Sequence, residues 1–311
     1  MESRSFRYYI DVMEETKMDH LTAKVSCFAR AFHTEMNRLP IFSDPWAKRL
    51  LGEEYEMIAH HMEEGICYFV PGFQGTREEG LRLIADRQLS PSVLGRSAFS
   101  EKIWTAYKEN GCRQAVILAS GYDTFGIRTK AMDIAVYEID MPEMIEEKKV
   151  RVHKADLSSS SIYVPCDLSN PSWVWKLTDA GFDPNRQAFT CMLGLSYYLD
   201  RESFRRLVRD LADLLKAGSG LCFDYPISDS SPECDRNREL ADGAKEEMKA
   251  RYTEEEMTAF LTEAGFEIAE RLDSEAMTEH YFSAYNQAEP DHRIEAPKGV
   301  SYIHAKVRKR K

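Results

Sequence analysis

Residues 115–124 read AVILASGYDT, and residues 134–140 read IAVYEID. Each is a short apolar run of β-prone residues, too short for a buried helix. The first ends at Ser120-Gly121, with Asp123 and Thr124 just beyond; the second ends on a carboxylate, Asp140. Runs that are apolar throughout, rather than alternating, belong to strands covered on both faces. Working outward, SIYVP (161–165), AFTCML (188–193) and GLCFDYP (220–226) repeat the pattern. Helical stretches are expected at 171–180 and 202–216. Strand and helix in alternation predict an α/β fold of parallel βαβ units. Ligands of such sheets bind beyond the carboxyl ends of the strands, where a glycine lets them approach the backbone.

The flanks differ. Leu21, Val25, Phe28, Ala29 and Phe32 recur at steps of three and four, predicting a helix over about 12–38. Asp44 is placed to cap a further helix whose first turn holds Pro45. A long helix is expected within 78–109, interrupted by Pro91 and Gly95 and closed by Gly111. Thr253 and Glu256 form a capping box for a helix ending at Gly265. FEIAERL and SYIHAKV supply two last strands, with a short helix between them in 274–298. The expected organisation is a helical layer over 1–110 on an α/β domain over 111–311. The polar stretch 227–251 is expected to be an insertion covering the site.

Composition narrows the partners. The chain has 311 residues, 43% hydrophobic and 30% charged, with a net charge of −11. That excess of acid gives no bulk attraction to a nucleic-acid backbone, and no run reaches the roughly 18 apolar residues of a membrane span. The start, MESRSFRYYI, lacks the apolar run of a signal peptide. Seven cysteines, an odd number without CxxC spacing, suit buried free thiols better than disulfides or structural zinc. His60 and His61 are adjacent, and no HExxH motif accompanies them, so no metal is expected. The expectation is a cytoplasmic protein with no nucleic-acid and no membrane partner; composition leaves the oligomeric state open.

Gly121 at the end of one strand and Asp140 nineteen residues on, at the end of the next, suit a nucleoside. A carboxylate at that spacing accepts hydrogen bonds from both ribose hydroxyls. A diphosphate suits the turn poorly: GxGxxG is absent, and the Asp123 carboxylate repels phosphate while attracting an ammonium group. A nucleoside with a cationic tail, S-adenosyl-L-methionine, therefore fits better than NAD. Asp167 and Leu168, after the third strand, admit two readings: Asp167 accepts from an adenine amino group with Leu168 on the ring, or Asp167 caps the segment starting near Pro171. Arg96 is either a carboxylate-binding cation or a surface arginine, and Lys24 is either a ligand or a snorkelling side chain on its helix.

These strings, with TAKVSCFARAFHTEMNRLPIFSDPWAKRLL, VPCDL, AGFDP, LGLSYYL and Lys148 after YEIDMP, resemble the leucine carboxyl methyltransferase-like family of S-adenosylmethionine-dependent O-methyltransferases. The likeness is greatest to its bacterial small-molecule, polyketide-type branch. The resemblance implies a class I methyltransferase-like Rossmann sheet, mostly parallel and seven-stranded with an antiparallel last strand. It implies that Gly121 and Asp123 hold the methionine part of the cofactor, Asp140 the ribose, Asp167 and Leu168 the adenine, and Lys24 and Arg96 the carboxylate. One departure stands out: Leu193 precedes Gly194 where many members have glutamate, which argues against the namesake protein-methylating role. Tyr198 and Tyr225 are weak candidates for the acceptor pocket, and no catalytic base is assigned. The implied reaction is direct, in-line methyl transfer to a carboxylate or hydroxyl of a small molecule. The competing readings are a non-catalytic nucleoside-binding or interaction protein and an NAD-dependent oxidoreductase.

Overall fold

The computed structural model describes residues 20–228 and 249–309. They form two compact units: residues 20–95 with 274–298, and residues 96–228 with 249–273 and 299–309. The division falls inside a continuous helix, Ser90–Glu109. Residues 229–248 of the expected 227–251 cover, and the first part of the expected 12–38 helix, lie outside the described residues.

The second unit is built on a seven-stranded sheet: β1 (Gln114–Leu118), β2 (Ala135–Asp140), β3 (Ser161–Pro165), β4 (Phe189–Met192), β5 (Gly220–Pro226), β6 (Phe266–Leu272) and β7 (Val300–Val307). Their spatial order is β3-β2-β1-β4-β5-β7-β6. The neighbours from β3 to β5 are all parallel, while β7 runs antiparallel to β5 and to β6. Strands β1 and β4 are buried along their whole length, as their unbroken apolar runs require. The order reverses beside β1, so the carboxyl ends of β1, β2 and β4 open a crevice at that point.

Local chemistry explains the elements. Helix Arg201–Leu214 starts where Asp200 accepts from the Ser203 N–H, and it buries Phe204, Leu207, Val208 and Leu211 at steps of three, one and three. Thr253 and Glu256 close both bonds of the expected capping box, and Gly265 ends that helix in the left-handed conformation at φ 105°. One expectation needs correction. Pro91 and Gly95 do not end the helical run, which continues from Arg77 to Glu109; the irregularity is a π-helical segment, Ala85–Leu89, directly before Ser90 and Pro91, where the i→i−4 ladder is already broken and a proline lacking its N–H is tolerated. Gly95 leaves room for Phe282 and Met277. The Asp44 carboxylate is buried and pairs through Oδ2 with Arg30 at 2.9 Å.

Helix Ser90–Glu109 lays one stripe on the sheet. Ser100 meets Cys191 of β4, Trp104 packs on Phe189, and Tyr107 stands where a side chain at Gly220 would be. A Cβ at Gly220 would lie 2.6 Å from the Tyr107 ring. Next to it, His304 of β7 sits 3.3 Å from the Tyr107 hydroxyl, and burial first, then Lys306, pushes its pKa down to about 4. Between that value and the unfolded 6.5, the unfolded chain takes up a proton that the folded one refuses. The contribution of His304 is thus present above pH 6.5 and lost as pH falls toward 4, by up to about 1.4 kcal/mol per pH unit. Urea titrations should give a shallower stability loss between pH 6.5 and 5 for His304→Gln than for the parent chain; equal slopes would sink the assignment.

Candidate functional site

The turn after β1 and the last residue of β2 are joined directly. The Gly121 N–H donates to Asp140 Oδ2 at 2.7 Å, and Asp140 Oδ1 accepts from the Met141 N–H at 2.8 Å. The turn needs two left-handed residues in three: Gly121 at φ 44° and, less ordinarily for a side chain with a Cβ, Ala119 at φ 50°. Such backbone persists where the surroundings hold it, here through the Asp140 bond and the Ser120 N–H on the Ile139 carbonyl at 3.2 Å. The Ser120 hydroxyl is buried and makes no hydrogen bond among the described residues. Asp123 Oδ1 accepts from the Phe125 N–H at 2.6 Å and lies 4.0 Å from Arg128, leaving the carboxylate 27% exposed.

A second group gathers at the carboxyl ends of β4 and β5. Arg96 Nη1 lies 3.6 Å from Oδ2 of Asp224, whose side chain is wholly buried. Asp224 also accepts from the Gly194 N–H at 2.7 Å and the Tyr197 hydroxyl at 2.9 Å. Burial first, and then the Asp224 charge, hold the Tyr197 phenol well above its ordinary pKa, so it remains a donor. Sequence reasoning missed Asp224 and Gly194. The available signal was one acid in an otherwise apolar strand string, GLCFDYP.

The other candidates each have contacts of their own. Asp167 accepts from the Ser169 N–H at 2.7 Å, a local turn, while Asn170 accepts from the Ser172 N–H ahead of helix Trp173–Asp179. Leu168 belongs to the apolar core of this unit. Tyr198 is half-buried with its ring against Tyr197, and Tyr225 is fully buried against Phe223 and Tyr252. Lys24 lies in the other unit, in helix Leu21–Met36, bonded to Glu54 at 3.1 Å. No cluster of metal-ligating side chains occurs among the described residues.

The strand order, with an acid at the end of β2 and a glycine turn after β1, defines a class I methyltransferase fold. Solved structures share it: a methyltransferase of Thermobifida fusca (TM-score 0.52, 16% identity, 84% of this chain and 92% of that one) and a protein of Streptomyces avermitilis (0.53, 17%, 78% and 95%). The leucine carboxyl methyltransferase family profile matches residues 23–212. YktD of Bacillus subtilis (strain 168), named as an S-adenosyl-L-methionine-dependent methyltransferase, is 31% identical over 300 residues, covering 92% of this chain and 97% of its own. A protein of the same name from Mycolicibacterium gilvum (strain PYR-GCK) is 31% identical over 228 residues, 70% of each chain. The chain belongs to the leucine carboxyl methyltransferase family and is an S-adenosyl-L-methionine-dependent methyltransferase. The residues present fit that cofactor: a carboxylate, Asp140, held at the end of β2 beside the Gly121 turn, a buried Ser120 hydroxyl with no hydrogen bond among the described residues, and the Arg96 cation suit a ribose and an amino-acid tail.

Proposed function

We propose that this enzyme methylates a carboxylate or acidic hydroxyl oxygen of a small molecule and belongs to the bacterial, polyketide-type branch of its family. In this reading Asp140 holds the ribose of S-adenosyl-L-methionine, Arg96 its carboxylate, and Gly121 with Asp123 its methionine part; Asp167 and Leu168 border the adenine. The cofactor supplies an electrophilic methyl on sulfur that needs no metal activation. The protein's task is then to place the acceptor oxygen in line and to exclude water.

The observation that carries this reading is the state of the tyrosines at the ends of β4 and β5. Tyr197 and Tyr225 are buried, and burial raises the pKa of both phenols. Neither serves as a base near neutral pH, so the arrangement suits an acceptor oxygen that brings its own negative charge. Tyr198, half-buried beside Tyr197, is then a wall of the acceptor pocket. The absence of an acid at Leu193 further separates the chain from the protein-methylating namesake. No helix among the described residues is long and apolar enough to cross a membrane.

The test is transfer of labelled methyl from S-adenosyl-L-methionine to low-mass acceptors, with a panel of aromatic and aliphatic carboxylates and phenols. Label that is released as methanol by mild base marks an ester, and stable label marks an ether. Label appearing only in protein, or binding of NAD in place of S-adenosylhomocysteine, overturns the proposal.

A further inference from the structure

A buried carboxylate is costly unless charge and hydrogen bonds compensate it. Asp224 lies in a strand otherwise made of apolar residues and glycine, and its compensation is specific. Oδ1 takes the Gly194 N–H, while Oδ2 takes the Tyr197 hydroxyl and faces Arg96 Nη1. The backbone carbonyl of Asp224 accepts from the Ser196 hydroxyl at 2.7 Å. One residue therefore ties the whole segment 194–197 to the arginine. Gly194 completes the arrangement. It stands at φ 70°, and a Cβ there would fall 2.7 Å from Arg96 Nη1 and 3.0 Å from its Cζ. The guanidinium occupies the space that any other residue at 194 would fill.

An arginine side chain has about 2 kcal/mol of rotamer entropy to lose when it captures an anion. Ordering it beforehand moves that loss into folding and leaves more of the contact for binding. We propose that Asp224 is a positioning residue: it fixes the Arg96 guanidinium across the Gly194 backbone, in the pose that receives the carboxylate of the methyl donor. Asp224 touches neither the donor nor the acceptor and acts through Arg96. The proposal rests on the assignment of Arg96 to that carboxylate.

The experiment is calorimetry on the full chain with two probes, S-adenosylhomocysteine and 5′-methylthioadenosine. They share the nucleoside and the sulfur, and only the first has a carboxylate. Asp224→Asn should weaken S-adenosylhomocysteine about tenfold while leaving 5′-methylthioadenosine within about twofold of the parent value. A purely structural role would weaken both alike, and that result, or no change in either, overturns the proposal. Arg96→Met tests the underlying assignment separately: if the ratio of the two affinities does not move, Arg96 does not read the carboxylate. If Arg96→Met moves the ratio and Asp224→Asn does not, only the positioning role fails. The double variant should show the same ratio as Arg96→Met alone, because one residue acts through the other. Should Asp224→Asn not fold, Tyr197→Phe decides. It removes one donor to Oδ2 and should cost about threefold, confined to S-adenosylhomocysteine; an equal effect on both probes, or none, overturns the proposal.

Discussion

Lys148→Met is expected to lower the unfolding free energy by about 3–5 kcal/mol, the usual consequence of stranding one partner of a buried ion pair. Lys148, on helix Pro142–Lys154, and Glu138, on β2, are ion-paired with each side chain only 1% exposed. The Ser161 hydroxyl of β3 donates to the other Glu138 oxygen at 2.5 Å. Burial works against charge on Lys148, but the neighbouring Glu138 carboxylate prevails, and the Lys148 pKa is raised. Removing the ammonium leaves a carboxylate in an apolar interior with one hydroxyl for company. The double variant Glu138→Leu with Lys148→Met removes the stranded charge and should recover most of the loss, since hydrophobic replacements of buried pairs are often neutral or better. Urea unfolding of the three chains measures this; a single variant within about 1 kcal/mol of the parent would refute the pairing. The consequence reaches the site. Glu138 precedes Asp140 by two residues and shares its face of β2. The turn after β1 also leans on the pair: a Cβ at Gly126 would fall 1.8 Å from the Ser161 hydroxyl and 3.0 Å from Glu138 Oε1. The ion pair thus helps set the strand end from which Asp140 reaches Gly121.

How much of this was legible follows from the range of the interactions. Strands β1, β2, β4 and β5 announce themselves because a parallel strand covered on both faces is largely apolar, while β3, a partly exposed edge strand, shows only as a short β-prone run. The box at Thr253 and Glu256 is legible because both bonds lie within one turn. Pro91 and Gly95 misled because their usual effect depends on position. Proline usually ends a helix, but here it follows a π-helical segment, Ala85–Leu89, that a sequence pattern does not announce, and glycine here admits Phe282. The pairing of Asp44 with Arg30 was not legible, because it joins residues fourteen apart. In the site, the sequence offered Gly121 and Asp140 through their places at two strand ends, but the bond between them needs the parallel register of β1 on β2. Asp224 was silent for the same reason in stronger form. Its partners are Arg96 on a helix and Gly194 after another strand, so the lone acid in GLCFDYP marked the position but not the network it holds.

Asp140→Ala should weaken S-adenosylhomocysteine binding about 100-fold, as expected for the loss of two charge-assisted hydrogen bonds at roughly 1.5 kcal/mol each. The substitution removes two functions at once. It takes away the acceptors proposed for the ribose hydroxyls, and it frees the Gly121 N–H that holds the turn after β1. The two are separable by changing the ligand instead of the protein. A 2′,3′-dideoxy analogue of S-adenosylhomocysteine leaves the turn intact and removes only the hydroxyls. If Asp140 binds the ribose, the parent chain should prefer the natural ligand strongly over the analogue, while Asp140→Ala should scarcely distinguish them. If the carboxylate serves only the turn, both chains will discriminate equally, and the loss in Asp140→Ala will fall on both ligands alike. The first pattern makes Asp140 a binding residue whose second oxygen contact is structural. The second returns it to the backbone of the turn and removes the ribose assignment. Stability should fall by no more than about 2 kcal/mol, because the two freed N–H groups lie at a half-buried position that water reaches. A fully folded Asp140→Ala with unchanged affinity would end the assignment outright.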